Sequence, residues 1–394
     1  MGVFGTKRAA SPIIGALCLA TTYLAGGLHW RYISRPAMFF GAFVASYVGI
    51  GFTTGLVGNA ANAVSRLTEV IIGFSIVFSA MVGVASLRRN GREARILRML
   101  GWITFLSILT IPVFKFALND FFLYTNLDET GMLKERSAGV FANPNEAGLL
   151  AGLGLTIVLS GVFAGWRQYV LGFALVSTAF LVFSRAAILA CAAVAIVVSV
   201  TRLRRPETIV SALGMIVLMI LLQYIAPTYI VGKGLLTADQ EWRLQSLGDL
   251  SMGRTDVDGI DSGRMQLAVE SLKAIASAPL VGYGIGGALV VLQGSGSHNQ
   301  FLSIALEAGI PVMLVFLLFI GVTLYSSLVI RINEFKTFLL GLMAWFIIAA
   351  FFSHNLLDLR FVSLYVGVAL GLCSPVTFNL NRFIPNKEIG LRKP

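Results

Sequence analysis

The sequence predicts an all-α, polytopic membrane protein with about 11–12 transmembrane helices and one long outer loop that carries short helices. Three observations predict it. Of 394 residues, 57% are apolar and only 12% are charged, where a soluble domain carries roughly 25% charged residues. Mean hydropathy is +0.83. Apolar runs close to the 20 or so residues that cross a bilayer recur along the chain, and most of the Lys and Arg sit in short clusters between them. The formal charge of +11 would suggest a nucleic-acid partner in a soluble protein. Here the positive-inside rule accounts for it, and no nucleic acid is expected. Cys18, Cys191 and Cys373 all lie in apolar stretches without a CxxC pair or a neighbouring His, so neither a disulfide framework nor a Cys-ligated metal is predicted. No metal and no cofactor is expected. The 41 glycines suit close approach of helices in a membrane.

In chain order, spans are predicted near 11–28, 37–57, 67–86, 99–118, 146–165, 168–183, 186–201, 208–226, 309–330, 337–353 and 359–377. Lys7 and Arg8 precede the first run as in a signal peptide, but no small-residue cleavage site follows, so that run is read as a retained span. Arg88, Arg89, Arg92, Arg95 and Arg98 fill one connection, and Arg202, Arg204 and Arg205 another. Both are assigned to the inner side. Alternation then places Arg331 to Lys336 and the basic C-terminal tail inside, and residues 119–145 and 227–300 outside. Eleven spans leave the N-terminus outside in spite of Lys7 and Arg8, a conflict confined to the first 65 residues. The organisation expected is 1–226 transmembrane helices, 227–300 outer loop region, and 301–394 transmembrane helices and inner tail.

Four places hold polar residues that a bilayer resists. The run from Gln168 to Val200 would make a straight helix of about 50 Å, beyond the roughly 30 Å hydrocarbon core. A break at Ser184-Arg185 divides it into two short helices with a polar turn recessed below the outer surface. Arg185 there either snorkels or pairs with a structural carboxylate, or it meets an anionic substrate. Arg264 opens a short amphipathic helix ending at Pro279, followed by the glycine-rich strap Gly282-Tyr283-Gly284-Ile285-Gly286-Gly287. No strand precedes those glycines, which excludes a dinucleotide fingerprint. The strap could bring backbone N–H groups to a ligand, and Arg264 taken alone is a solvated surface charge or a ligand contact. Asn299 is a predicted N-cap, with His298 just before it as a structural residue or a base. Asn143, Pro144 and Glu146 form a helix start, which leaves Arg136 as a third outer-face cation. Asp256-Val257-Asp258 has metal-binding spacing but reads as solvated loop, and His354-Asn355 with Asp358 read as helix caps in a short outer turn.

Together, Gly139 to Gly148, Phe183-Ser184-Arg185, Gly263-Arg264 to Gly286, and Ser297-His298-Asn299-Gln300-Phe301-Leu302 to Gly309 resemble the O-antigen ligase and polymerase superfamily of bacterial envelope glycosyltransferases. Order and spacing carry the resemblance over about three quarters of the chain, with eleven spans where the family usually has twelve. It implies metal-independent, inverting transfer of a glycan from undecaprenyl pyrophosphate to an acceptor hydroxyl on the periplasmic face of the inner membrane. The acceptor would be lipid A core for a ligase, or a second lipid-linked glycan for a polymerase. It also implies arginines on the pyrophosphate, here Arg185 and Arg264, and a histidine at the acceptor, here His298. Arg136, Asn299, Tyr283 and Gly284 are the expected substrate-binding residues. A lipid-linked oligosaccharide transporter or flippase would show internal repeats with matching broken helices. Only one broken pair is visible, and the polar residues gather on one side, which favours an outer-face enzyme over a transporter, whereas a non-catalytic assembly factor predicts that Arg185, Arg264 and His298 do not converge in space.

Overall fold

The computed structural model describes residues 33–116, the strands at 123–127 and 133–137, residues 140–202 and residues 264–375, apart from a few short gaps. The predicted spans near 11–28 and 208–226, Asp256, Asp258 and the C-terminal tail lie outside the described residues. Among the described residues, six helices are long and apolar enough to cross a membrane: Arg35–Gly58, Ala63–Arg88, Glu93–Val113, Pro144–Val162, Gln300–Val329 and Asn333–Phe352. Two shorter apolar helices, Ala186–Thr201 and Arg360–Leu372, join them. The protein is a multi-pass membrane protein. Large apolar side chains such as Val57, Leu318 and Tyr325 stand on its outside, as a hydrocarbon solvent permits and water does not.

The elements are α1 (Arg35–Ser46), α2 (Thr53–Arg89), α3 (Glu93–Phe116), β1 (Leu123–Leu127), β2 (Leu133–Ser137), α4 (Pro144–Ile157), α5 (Trp166–Leu181), α6 (Arg185–Thr201), α7 (Arg264–Ser277), α8 (Gly287–Val291), α9 (Gln300–Val329), α10 (Asn333–Phe352) and α11 (Arg360–Leu372). A wide π-turn, Tyr47–Phe52, links α1 to α2. Drawn straight, the 37 residues of α2 would reach about 55 Å, but the helix doubles back on itself. A Cβ on Gly55 would lie 3.0 Å from that of Ala63, and the rings of Phe40 and Phe74 are 5.5 Å apart. The two predicted spans are thus antiparallel neighbours. The body is all-α as expected, and the antiparallel pair β1–β2, with Tyr124 opposite Arg136, is an addition that the hydropathy pattern does not report.

Small residues set the register between helices. Gly73 faces Ser363, Gly367 faces Val77 and Gly371 faces Met81, so α2 and α11 run parallel and close, as glycine in a membrane allows. Trp345 Nε1 donates to the Leu149 carbonyl at 3.0 Å, and Gly341 lies against Thr156 and Val198. Helix α10 is therefore antiparallel to α4 and α6. Two ends of the bundle follow from this. At one, Arg88 donates to the carbonyls of Leu372 and Ser374, and the buried Arg202 donates to the Ser160 carbonyl and to Thr337 Oγ1. Arg331 and Lys336 lie at that end too. The N-termini of α4, α6, α9 and α11 and the C-terminus of α10 meet at the other, where the candidate site is found.

Candidate active site

His298 and His354 form the centre of the site, and each is placed by a helix end. Asn299 Oδ1 accepts from Phe301 N at 2.9 Å and Leu302 N at 3.1 Å, the predicted N-cap of α9. His298 just before it adopts a left-handed φ of 51°, a conformation that costs a residue with a Cβ about 1–2 kcal/mol. His354 lies in the bend after α10. The two rings stand edge to face, centroids 5.2 Å apart and planes at 90°. Gly296 makes this arrangement possible, because a Cβ there would come within 2.3 Å of the His354 ring.

Next to His354, Asp358 closes a short helical turn and accepts from Arg66 Nη1 at 2.8 Å, while the same nitrogen donates to Glu69 at 2.8 Å. Gln300 Oε1 accepts from Leu356 N at 2.8 Å and ties α9 to that turn. Arg66, Gln300, His354 and Asp358 line a cavity of about 30 Å³, together with Tyr47, Ser363 and a mainly apolar wall that includes Phe40, Phe43 and Phe74. Burial lowers the His298 pKa, and the charge of Arg264 lowers it further. For His354, burial, then His298, Arg66 and Arg264 bring it down to about 4. Burial raises the Asp358 carboxyl in spite of Arg66. Both imidazoles are therefore neutral at pH 7 and able to accept a proton.

The glycine-rich strap is anchored by a break in α9. Gly309 (φ 87°, ψ 167°) interrupts the helix and Pro311 has no N–H to donate, so the carbonyls four residues upstream of Ile310 and Pro311 lose their helical partners. The strap supplies replacements: Tyr283 N donates to Leu306 O at 2.7 Å and Gly284 N to Glu307 O at 2.9 Å. Ile285 N donates to Gly51 O at 2.7 Å, and Ile310 N turns to Pro279 O at 2.8 Å. The buried Glu307 side chain completes the joint, accepting from Gly286 N at 3.0 Å and from the Tyr47 hydroxyl. These N–H groups are spent on the protein. The strap is a staple, where the sequence suggested a loop of free donors at Tyr283 and Gly284, and the Tyr283 hydroxyl is likewise engaged with Ala274 O at 3.2 Å.

Of the residues singled out in the sequence, Arg264 and His298 are brought together, close enough for the cation to depress the imidazole. Arg185 is the first residue of α6, behind the cap Ser184, and Arg136 lies on β2 between α3 and α4. Both elements place these residues at the His298 end of the bundle. Asn143 caps α4 as expected, accepting from Asn145 N at 2.8 Å. His354 and Asp358 are more than the helix caps they resemble in sequence, and Arg66, Tyr47 and Glu307 gave no signal of their site contacts. One signal for His354 was present: His354-Asn355 repeats the dipeptide His298-Asn299.

Residues 170–317 match the family model described as O-antigen ligase. The matched segment takes in the start of α6, Arg264, the strap, His298 and Glu307, and it stops short of His354 and Asp358. No curated protein matches the chain. Among solved structures, a chain studied for the structural coordination of polymerization and crosslinking by a peptidoglycan synthase complex superposes with a TM-score of 0.43 at 16% identity, covering 84% of this chain and 95% of that one. The O-antigen ligase match supports a membrane glycosyltransferase of the ligase or polymerase type.

Proposed function

We propose that the protein transfers a glycan from undecaprenyl pyrophosphate to a sugar hydroxyl on the periplasmic face of a bacterial inner membrane, as a ligase with lipid A core as acceptor. The observation that carries this reading is the neutral His298 beside the cation Arg264 at the bundle end opposite Arg88, Arg202, Arg331 and Lys336. The positive-inside rule assigns that basic end to the cytoplasm, which makes the histidine end periplasmic. On this reading residues 1–226 and 301–394 form the membrane body and 227–300 the periplasmic cap. The gathering of the site residues around one late outer loop favours the ligase over the polymerase.

The chemistry follows from the charges. Helices α5 and α6 have 16 and 17 residues, about 24–26 Å each and shorter than the hydrocarbon core, so the break between them lies below the membrane surface. A pyrophosphate tethered to a lipid enters sideways and arrives near that depth. Arg264 and Arg185 bind it with charge-assisted hydrogen bonds and stabilise the charge that grows on it as the glycosidic bond breaks. His298 takes the proton of the attacking hydroxyl. The new glycosidic bond forms opposite the departing pyrophosphate, and the anomeric centre inverts.

The test is the purified protein reconstituted in lipid with an undecaprenyl pyrophosphate-linked oligosaccharide, with and without lipid A core, in EDTA, with products resolved on a gel. One shifted product that requires core is expected. A ladder without core would make it a polymerase. Binding without any product would point to a transporter and overturn the transferase reading.

A further inference from the structure

The family match ends at residue 317, which leaves Arg66, His354 and Asp358 unassigned although they converge beside His298. We propose that the cavity they line is the acceptor subsite, in which His354 Nδ1 accepts a hydrogen bond from a hydroxyl of the acceptor sugar next to the one that attacks. The assignment rests on the transferase reading above and deepens its acceptor side.

Four observations converge on it. His354 Nδ1 is buried and has no hydrogen-bond partner among the described residues, and a buried polar atom of this kind calls for one. The cavity that His354 lines, at about 30 Å³, has room for a hydroxyl group or a water and none for a phosphate pair. Its charge is wrong for the donor. Arg66 is already held by Asp358 and Glu69, so the cavity's cation is neutralised and gives a pyrophosphate no net attraction, while a neutral hydroxyl needs none. The cation that both imidazoles feel from outside the trio is Arg264, and the donor belongs with it. Finally, the edge-to-face contact of the two rings at 5.2 Å sets a hydroxyl held by His354 beside one presented to His298. The low pKa of His354 keeps the ring neutral, and the tautomer protonated on Nε2 has the Nδ1 lone pair available.

The test measures initial transfer rates of the reconstituted protein with donor and acceptor each varied, for wild type, His354→Ala, His354→Asn and His354→Gln. The asparagine oxygen stands near the position of Nδ1, whereas that of glutamine reaches toward Nε2. His354→Ala is expected to raise the acceptor KM about 10-fold, the worth of one net hydrogen bond, with donor KM and kcat nearly unchanged. Asparagine should restore most of the loss and glutamine little of it. An unchanged acceptor KM in His354→Ala, an equal rise in donor KM, or asparagine no better than glutamine overturns the assignment while the transferase reading stands. Should alanine fail to fold, the asparagine and glutamine pair decides alone. A wild-type protein without transfer activity overturns both.

Discussion

Replacing Glu307 by alanine should loosen the strap, because it removes the side-chain link to Gly286 and Tyr47 and leaves only the backbone bonds of Tyr283, Gly284 and Ile285. The carboxylate is buried, and two buried donors depend on it: the N–H of Gly286 at 3.0 Å and the hydroxyl of Tyr47. Each donor left without an acceptor costs about 1–3 kcal/mol, so the pair amounts to about 2–6 kcal/mol before any loss of side-chain contacts. Tyr47→Phe removes one of the two bonds and should cost about 1–3 kcal/mol. Glu307→Gln keeps one acceptor oxygen and turns an NH₂ toward the other donor, and it falls in the same range. Activity should suffer more than stability, because the strap lies between α7, which begins at Arg264, and His298. Transfer is expected to fall about 100-fold in Glu307→Ala, as when groups are moved out of reacting geometry, and less in Tyr47→Phe. The assay pairs thermal unfolding in lipid nanodiscs with transfer rates for the three variants and for the Tyr47→Phe, Glu307→Gln double. The double should cost clearly less than the sum of the singles, because the residues share one interaction. An alanine variant that unfolds at the wild-type temperature and transfers at the wild-type rate would refute the staple.

Three further outcomes are expected. Transfer should be lost as pH falls through the His298 pKa, because the protonated ring cannot take the hydroxyl proton; burial and Arg264 hold that pKa below the ordinary 6.5, so Arg264→Ala should both slow the reaction and move the acid limb of its pH profile upward. Gly284→Ala should prevent folding or cost about 3 kcal/mol or more, since φ is 87° and a Cβ would lie 2.2 Å from Gly55 N; Gly41→Ala, with nothing within 4 Å, is the tolerated control, and expression with thermal unfolding reads both. Arg66→Ala strips Asp358 of its cation and should lower stability by about 2 kcal/mol, the cost of a broken buried pair discounted for side chains that are 26% and 23% exposed; chemical denaturation in detergent measures it.

The parts of this protein that were legible in the sequence are those that one stretch of chain contains. Spans follow from hydropathy, and caps such as Asn143 and Asn299 follow from local side-chain chemistry. The donor-side residues Arg264 and His298 sit within one loop and the helix it leads into. Arg66 and Asp358 are 292 positions apart, and Tyr47 and Glu307 are 260 apart. No periodicity relates such residues, and each alone reads as a snorkelling charge or a helix cap. They meet because α1 and the doubled-back α2 place Tyr47 and Arg66 at the bundle end where α9 and α11 begin. The short hairpin was missed for a related reason, since its residues are too few and too polar to register against the apolar runs on either side.

The break in α9 shows how a feature legible as a local defect acquires its purpose only in three dimensions. In the sequence, Gly309 and Pro311 mark where a polar approach gives way to a span near 309–330. In the structure, one helix runs from Gln300 to Val329 and carries the break inside it. A proline there denies Glu307 O its helical donor, and the diversion of Ile310 N denies Leu306 O its own. Two unpaired carbonyls inside a membrane protein would be costly, and the N–H groups of Tyr283 and Gly284 satisfy both. For Gly284 to come that close to α2 it must be glycine, since any side chain would strike the backbone of Gly55. The defect in one helix, the glycines of the strap and the buried carboxylate of Glu307 thus form one joint. Its effect is to fix the register between the chain leaving Arg264 and the chain arriving at His298, the two residues on which the proposed chemistry depends.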